Sequence, residues 1–164
     1  MTKHNTIYTL PILRNEIKVL NCLKKERKVI INNYVASLRE LGCELYKVEK
    51  KLIEIKSPGI GDGLGGTVKD NNYNYLIQRK YELKDEITDY IDDNYSEYWE
   101  RMYKCNMRIA TVYYYLNKMD TADRKFIEDL YINNIRFRDV MDRYNIKNEG
   151  NLYRKANNII RKIL

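Results

Sequence analysis

Side chains suited to nucleic-acid recognition are concentrated between residues 145 and 164 of this 164-residue chain. Arginine can donate two hydrogen bonds to guanine, asparagine can pair in a similar way with adenine, and basic side chains also neutralise phosphates. The candidate DNA-binding residues are Lys147, Asn148, Asn151, Tyr153, Arg154, Lys155, Asn158 and Arg161. These residue types predict contact with double-stranded DNA.

The charge of the same segment also favours an anionic partner. Between residues 145 and 164, five basic side chains stand against the single acid Glu149, so the segment carries +4 of the formal net charge of +7. The basic residues are Lys147, Arg154, Lys155, Arg161 and Lys162. A basic stripe on one helix is the electrostatic footprint of a DNA-binding protein. The alternative is an ordinary amphipathic helix with a solvated basic face.

Three short helices are predicted to position these side chains between residues 120 and 164. Asp120 is suited to cap the first helix, on which Phe126 and Ile127 begin an apolar face, and Asn133 and Asn134 end it. The second helix is predicted to turn four side chains inward: Phe137, Val140, Met141 and Tyr144.

The third helix is predicted to be the recognition helix. Asn145 is suited to a left-handed turn before it, Ile146 to the corner between the helices, and Asn148 to its N-cap. Its apolar stripe comprises Leu152, Ala156, Ile159, Ile160 and Ile163. Helix, turn and basic helix in this order predict a helix-turn-helix whose third helix enters the major groove.

The preceding residues 1–119 show two long helical patterns. From residue 31 an apolar residue recurs every three or four positions, as in a coiled-coil seam: Ile31, Tyr34, Leu38, Leu41, Leu45, Val48, Leu52 and Ile55. A Gly-rich loop is predicted at 57–72, followed by a second apolar stripe from Leu76 to Met119 that carries an acidic outer face. Either the two stretches pair as an antiparallel hairpin, or the seam joins two chains as a parallel homodimer.

These patterns predict an all-α protein. We expect a long, coiled-coil-like helical hairpin at 1–119 with its loop at 57–72, followed by a three-helix helix-turn-helix module at 120–164. No window alternates with the period of two that a half-buried strand requires.

Enzyme chemistry has no evident residues in this sequence. His4 is the sole histidine, and Gly61, Gly63 and Gly66 match a nucleotide-binding pattern without the strand that such a site needs. We therefore expect no catalytic residue, no metal site and no cofactor.

Cys22, Cys43 and Cys105 form no CxxC pair and are predicted to be reduced, buried thiols. Without a signal peptide or an apolar run of about 20 residues, a cytoplasmic protein with no membrane partner is expected.

The order of elements resembles that of a known family. The elements are a long helical stretch, the loop SPGIGDGLGG, a second long helix, the run Leu116, Arg124, Phe126, Ile127 and Tyr131, and LYRKANNIIRKIL from Leu152. Over most of the chain this resembles the ArpU/RinA-type regulators of phage late genes, whose C-terminal part is similar to sigma-70 region 4. The resemblance implies promoter or operator binding by the third helix, with Asn151, Tyr153, Arg154 and Lys155 toward DNA.

The resemblance also bears on partners. It makes host RNA polymerase a candidate partner and the host cytoplasm the expected location, and a homodimer through the helical region would place two DNA-binding modules together.

Two alternative functions use the same helices differently. A small terminase-like DNA-packaging subunit, or another virion-assembly component, would bind DNA as a ring. A helical protein-interaction module would dock a protein through its charged faces without binding DNA.

Overall fold

Five α-helices make up the regular structure of residues 8–56 and 66–164, the part of the chain that the computed structural model describes. They are α1 (Leu10–Lys56), α2 (Gly66–Leu116), α3 (Thr121–Tyr131), α4 (Phe137–Arg143) and α5 (Glu149–Ile163). Within these residues there is no strand, and the predicted all-α class is confirmed. The cause is the recurrence of apolar side chains every three or four residues.

The second long helix begins earlier than predicted. Residues 66–72 are helical, which corrects the C-terminal part of the predicted loop at 57–72, while residues 57–65 lie outside the described residues. A helix accepts glycine at its start because its first amide groups have no partner within the helix. Asparagine costs a helix roughly 0.7 kcal/mol relative to alanine, so Asn71 and Asn72 do not stop it.

The described residues divide into two compact units, and each long helix contributes a segment to both. Unit 1 comprises residues 8–28 and 103–164, and unit 2 comprises residues 29–56 and 66–102. The three short helices therefore share a unit with the start of α1 and the end of α2. The predicted domain boundary between residues 119 and 120 is a different division of the chain, and it stays a prediction.

Unit 1 is built on antiparallel segments of the two long helices. The Arg108 guanidinium makes two hydrogen bonds of 2.9 Å to the Glu16 carboxylate, and the Cys105 Sγ lies 3.2 Å from the Leu23 carbonyl oxygen. Rising residue numbers on α1 thus meet falling numbers on α2. The long helices bury eight side chains in this unit: Leu13, Ile17, Leu20 and Leu23 on α1, and Cys105, Ile109, Val112 and Leu116 on α2.

The three short helices complete the core of unit 1. Their buried apolar residues are Phe126 and Ile127 on α3, Val140 on α4, and Leu152, Ala156, Ile159 and Ile160 on α5. A seven-residue helix such as α4 buries too little surface to be stable alone. Its place in the unit follows from packing against its neighbours.

Unit 2 consists of one segment from each long helix. The Tyr34 and Tyr98 rings stack with their centroids 4.2 Å apart, and ion pairs join Glu44 to Arg79 and Glu49 to Lys80, each at 3.0 Å. These contacts again require antiparallel segments. Of the predicted seam only Leu52 is buried, whereas Ile55 is 40% exposed, because two helices alone cannot enclose a core.

Two of the three cysteines are exposed. Cys22 and Cys43 are exposed, which corrects the prediction that all three thiols are buried, while Cys105 is buried. Both exposed thiols lie on α1 outside its buried stripe, a position that composition alone does not reveal.

None of the helices in the described residues is long and apolar enough to cross a membrane.

Candidate nucleic-acid interface

Helix α5 separates a buried stripe from an exposed polar face. The Asn148 side chain accepts a hydrogen bond of 2.8 Å from the Asn151 amide, which confirms the predicted N-cap. Leu152, Ala156 and Ile160 are 0% exposed, and the helical period places the polar residues on the other side. Asn151, Arg154, Asn158 and Arg161 are exposed and lie along one face, with Lys155 at its edge.

The turn between α4 and α5 has the predicted left-handed residue. Asn145 has a φ of 51°, and the Ile146 amide donates to the Met141 carbonyl at 2.9 Å, closing the end of α4. Ile146 is partly buried at the corner between the two helices. Asn134, with a φ of 53°, serves the turn after α3 in the same way. Asparagine suits both positions because its short polar side chain tolerates this conformation.

A buried carboxylate holds this turn against α3. Asp129 is 3% exposed and accepts three hydrogen bonds, from Asn133 Nδ2 at 2.9 Å, Arg143 Nη1 at 2.7 Å and the Tyr144 hydroxyl at 2.9 Å. Two of these donors lie at the end of α4. The Asp129 cluster, formed by Asp129, Asn133, Arg143 and Tyr144, therefore sets the position from which α5 departs.

The protonation of Asp129 follows from these contacts. Burial is the largest influence and by itself would raise the pKa of Asp129, but the hydrogen bonds from Asn133, Arg143 and Tyr144 outweigh it and lower the pKa. For Tyr144, burial and then the hydrogen bond to Asp129 raise the pKa. The carboxylate is therefore ionised at neutral pH, and the Tyr144 hydroxyl stays protonated as its donor.

An aromatic pair links the cluster to α5. The Phe126 and Tyr144 rings pack edge to face with centroids 4.9 Å apart, and the Lys155 Nζ lies 4.8 Å from the Phe126 centroid and 5.4 Å from that of Tyr144. An ammonium group over an aromatic face is attracted by the ring quadrupole. Lys155 is exposed at the same time, so its charge is positioned by α3 and remains accessible.

The start of α1 supports the same helices. Asn21 Nδ2 donates to the carbonyl of Ile132, the C-cap residue of α3, at 2.5 Å, and Arg14 Nη1 donates to Asn157 Oδ1 on α5 at 3.1 Å. The Lys18 Nζ lies 5.3 Å from the Tyr131 ring centroid. Burial raises the pKa of Tyr131 to about 12. The short helices thus depend on α1 for their orientation.

The structure places most of the predicted site residues together. Lys147 and Asn148 are exposed in the turn before α5, beside the exposed face of the helix. Tyr153 differs, because it is half-buried and close enough to Tyr131 to affect the pKa of that side chain. Phe137 was wrongly predicted to face inward. It is the first residue of α4 and is 44% exposed, and only Val140 of this helix is buried.

Asp129 is the residue supporting α5 that the sequence interpretation missed. It lies between Phe126, Ile127 and Leu130, which form the apolar face of α3. A carboxylate next to such a face needs partners, since burying an unpaired charge is costly. That position was the available signal, but the partners Arg143 and Tyr144 are distant enough in sequence to be identified only in the fold.

Replacing the cap of α5 provides a local test. Asn148→Ala removes the acceptor for the Asn151 amide and should lower the free energy of unfolding by about 0.5–2 kcal/mol. Asn148→Ser, which keeps a capping oxygen, should remain within a few tenths of the wild-type value. Urea denaturation followed by circular dichroism measures both variants. Equal losses in both would contradict the capping role.

Comparisons with known protein families, curated proteins and solved structures give no match to this chain.

Proposed function

We propose that this protein is a sequence-specific DNA-binding regulator of transcription. Residues 120–164 act as a helix-turn-helix in this proposal, and the two long helices form the hairpin that carries it. The exposed face of α5 enters the major groove of duplex DNA. The observation that carries the proposal is that Asn151, Arg154, Asn158 and Arg161 share one exposed face of a helix whose other side is buried.

The way α5 is held supports this role. A recognition helix must present its side chains from a rigid support, because loosely held groups lose entropy when they bind. The Asp129 cluster, the Asn148 cap and the hydrogen bond from Arg14 to Asn157 each restrain α5 or the turn before it. All three restraints leave the exposed face of the helix open to a ligand.

The side chains of this face suit different parts of DNA. Arg154 and Arg161 can donate to guanine or to phosphate, and Asn151 and Asn158 can pair with adenine. Lys147 and Lys155 flank the face and are suited to phosphates. Nucleic-acid binding by such a surface should weaken as salt concentration rises, because counterions are released from the DNA.

Arg154→Ala is the decisive variant for DNA binding. Arg154 is exposed and makes no hydrogen bond or ion pair with the described residues, so its removal should leave the fold intact. We expect duplex affinity to fall about tenfold or more, since a bidentate arginine contact is worth about 1–3 kcal/mol. Fluorescence anisotropy with DNA selected from a random-sequence pool, measured over a series of salt concentrations, tests this.

Arg101→Ala is the matched control for this experiment. It removes the same charge from an exposed arginine in unit 2, where the ion pair to Glu97 spans 3.7 Å and contributes little. Affinity should then change less than twofold, a small effect on the scale of specific contacts. Equal losses of affinity in the two variants would mean that the effect of Arg154→Ala comes only from the change in net charge. If wild-type protein retards no duplex at low salt, the proposed function is wrong and a protein-docking role replaces it.

A further inference from the structure

One side of unit 2 exposes an unusual number of large apolar side chains. Besides the seam between the helices, α1 carries a second apolar stripe and so does α2. On α1 the stripe is Val35, Gly42, Tyr46 and Ile53, and on α2 it is Ile77, Tyr81, Ile91, Tyr95 and Trp99, with the exposed Lys84 and Thr88 between Tyr81 and Ile91 on the same side. Tyr46 is 68% exposed, Ile53 66%, Tyr81 62% and Trp99 58%. A soluble chain does not usually leave such a set uncovered.

Both stripes lie on the same side of the helix pair. Successive helical residues are rotated by about 100°, and each stripe is turned by roughly that angle from the seam of its own helix, in the same sense. In an antiparallel pair this rotation brings both stripes to one side. The ion pair between Glu49 and Lys80 joins the helices at the edge of this side. We call it the aromatic face.

The opposite side of unit 2 is charged. Arg79 lies there in contact with Glu44 at 3.0 Å and with Glu86 at 2.7 Å. Most acidic residues of α2 are on that side or at the outer edge, and all of them are exposed: Glu82, Asp85, Glu86, Asp89, Asp92, Asp93, Glu97 and Glu100. One side of the pair is therefore suited to water and the other to a protein surface.

We propose that the aromatic face binds the same face of a second copy of this chain, forming a two-fold dimer with a four-helix core. Two layers of two helices each, packed through their apolar sides, make the usual four-helix bundle. Gly42 permits close packing there, because it has no side chain, and no atom of this chain lies within 4 Å of where its Cβ would be. The open space above this glycine is available to a neighbouring helix.

The area of the aromatic face is sufficient for a dimer. A buried aromatic side chain covers about 150–250 Å², so the exposed parts of four aromatic and two aliphatic residues amount to roughly 600 Å² per copy. The two copies together would bury on the order of 1,200 Å², which is the lower end of the range for specific interfaces. Tyr95 and Trp99, whose rings stack with centroids 6.4 Å apart, lie within this area.

Charges at the two edges of the aromatic face identify a second copy as the occupant. The helical period places Arg39 and Lys50 at the α1 edge and Asp85 and Asp92 at the α2 edge, all of them exposed. A two-fold axis parallel to the helices sets α1 of one copy against α2 of the other. The basic edge of each copy then meets the acidic edge of its partner. A two-fold axis across the helices would instead bring like charges together.

The levels of these charges along the helices also agree. Tyr34 contacts Tyr90 and Tyr98, and Glu44 contacts Arg79. Arg39 is midway between Tyr34 and Glu44 on α1, so it lies level with the middle of the α2 segment from Arg79 to Tyr98. Asp85 and Asp92 are in that stretch. A two-fold axis parallel to the helices preserves levels, which places Arg39 opposite the acidic pair of the second copy.

The test is the mass of the full chain in solution without DNA. Light scattering and sedimentation equilibrium, with a thiol reductant because Cys22 and Cys43 are exposed, should show a dimer at concentrations on the order of 10–100 µM. Trp99 is the single tryptophan of the chain, and its emission should shift to shorter wavelength as the dimer forms. A monomer throughout this range overturns the proposal, as does a mass of ring size.

Variants of the aromatic face locate the interface. Ile53→Lys and Tyr81→Lys should each yield a monomer, while Tyr75→Lys should remain a dimer. Tyr75 is 63% exposed in the same unit, but the helical period places it on the charged side. All three side chains are exposed, so circular dichroism should show unchanged helicity. A dimer that persists in both face variants, or is lost in the control, overturns the proposal.

A charge exchange tests the orientation. Arg39→Asp should weaken dimerisation at least tenfold, and adding Asp85→Arg and Asp92→Arg to it should restore most of the lost affinity. Failure of this rescue overturns the two-fold arrangement. The dimer would also present two copies of α5 to DNA, a consequence that rests on the proposed function. Because mass is measured without DNA, failure to dimerise and failure to bind DNA are separate outcomes.

Discussion

Phe126→Ala is expected to lower the free energy of unfolding by about 3–5 kcal/mol, the usual cost of removing a buried aromatic side chain. Phe126 is 1% exposed, and its ring contacts the Tyr144 ring and the Lys155 ammonium. The alanine variant leaves a cavity between α3, the end of α4 and α5. A loss of this size is a large part of the 5–15 kcal/mol that stabilises a typical domain.

The chain provides a matched control for this variant in its second phenylalanine. Phe137 is 44% exposed at the start of α4, so Phe137→Ala should cost less than about 1 kcal/mol. Urea denaturation monitored by circular dichroism, with a common slope for all variants, yields the two values. Similar losses at the two positions would contradict the packing of α3 against α5 described above.

Phe126→Ala should also weaken duplex binding by the protein that is folded. Loss of the ring releases Lys155 from its position and loosens the support of α5. The effect on affinity should therefore exceed that of the Arg101→Ala control even at low temperature, where both variants are folded. Anisotropy measurements on the same DNA, with folded protein checked by circular dichroism, make this comparison.

Asp129→Asn is expected to lower the free energy of unfolding by about 2–3 kcal/mol at pH 7. The change removes the charge that three donors surround, and hydrogen bonds to a charged group are worth about 1.5–3 kcal/mol each, less where solvent reaches them. The Arg143 side chain is 49% exposed, so its ion pair contributes at the lower end of such values. This loss of stability would come from the contacts that hold the turn before α5.

The pH dependence of stability separates the charge of Asp129 from its shape. The pKa of Asp129 is lowered in the folded protein, so its stabilising effect is complete above the unfolded pKa of about 3.9. That effect is lost as the pH falls below this value and through the lower folded pKa. The difference between wild type and Asp129→Asn should therefore shrink below about pH 4.

Asp142→Asn is the control for this titration. Asp142 is exposed on α4, near the cluster but outside it, and its loss of charge should change stability by less than about 0.5 kcal/mol at any pH. Denaturation midpoints of the three proteins between pH 3 and pH 7 provide the test. A constant difference between wild type and Asp129→Asn across that range would contradict an ionised, hydrogen-bonded Asp129.

Local sequence signals predicted much of the fold. The N-cap at Asn148, the left-handed Asn145 and the buried stripe of α5 were all correctly predicted, because each depends on residues a few positions apart. Asp120 likewise caps α3, accepting from the Asp123 amide at 2.8 Å. Capping, turn and periodicity rules act over one or two helical turns, and such signals can be read directly from the chain.

Burial of individual side chains was predicted less well where distant residues decide it. Phe137 satisfied the apolar pattern of α4 and is nevertheless exposed, and Asp129 is buried although it is charged. Cys22 and Cys43 are exposed for the same reason, since residue type indicates only an average tendency to burial. Which helix covers a given face depends on the packing of the whole unit.

By itself, the sequence determined that the described residues are mainly helical, that Asp120 and Asn148 cap α3 and α5, and which side of α5 carries its basic and amide side chains. These properties arise from hydrogen bonds and periodicity within a single helix. The tertiary structure alone decided that the short helices share a core with both long helices and that Asp129 joins α3 to the end of α4. Such contacts join residues from different parts of the chain, and their energies exist only once packing has brought those residues together.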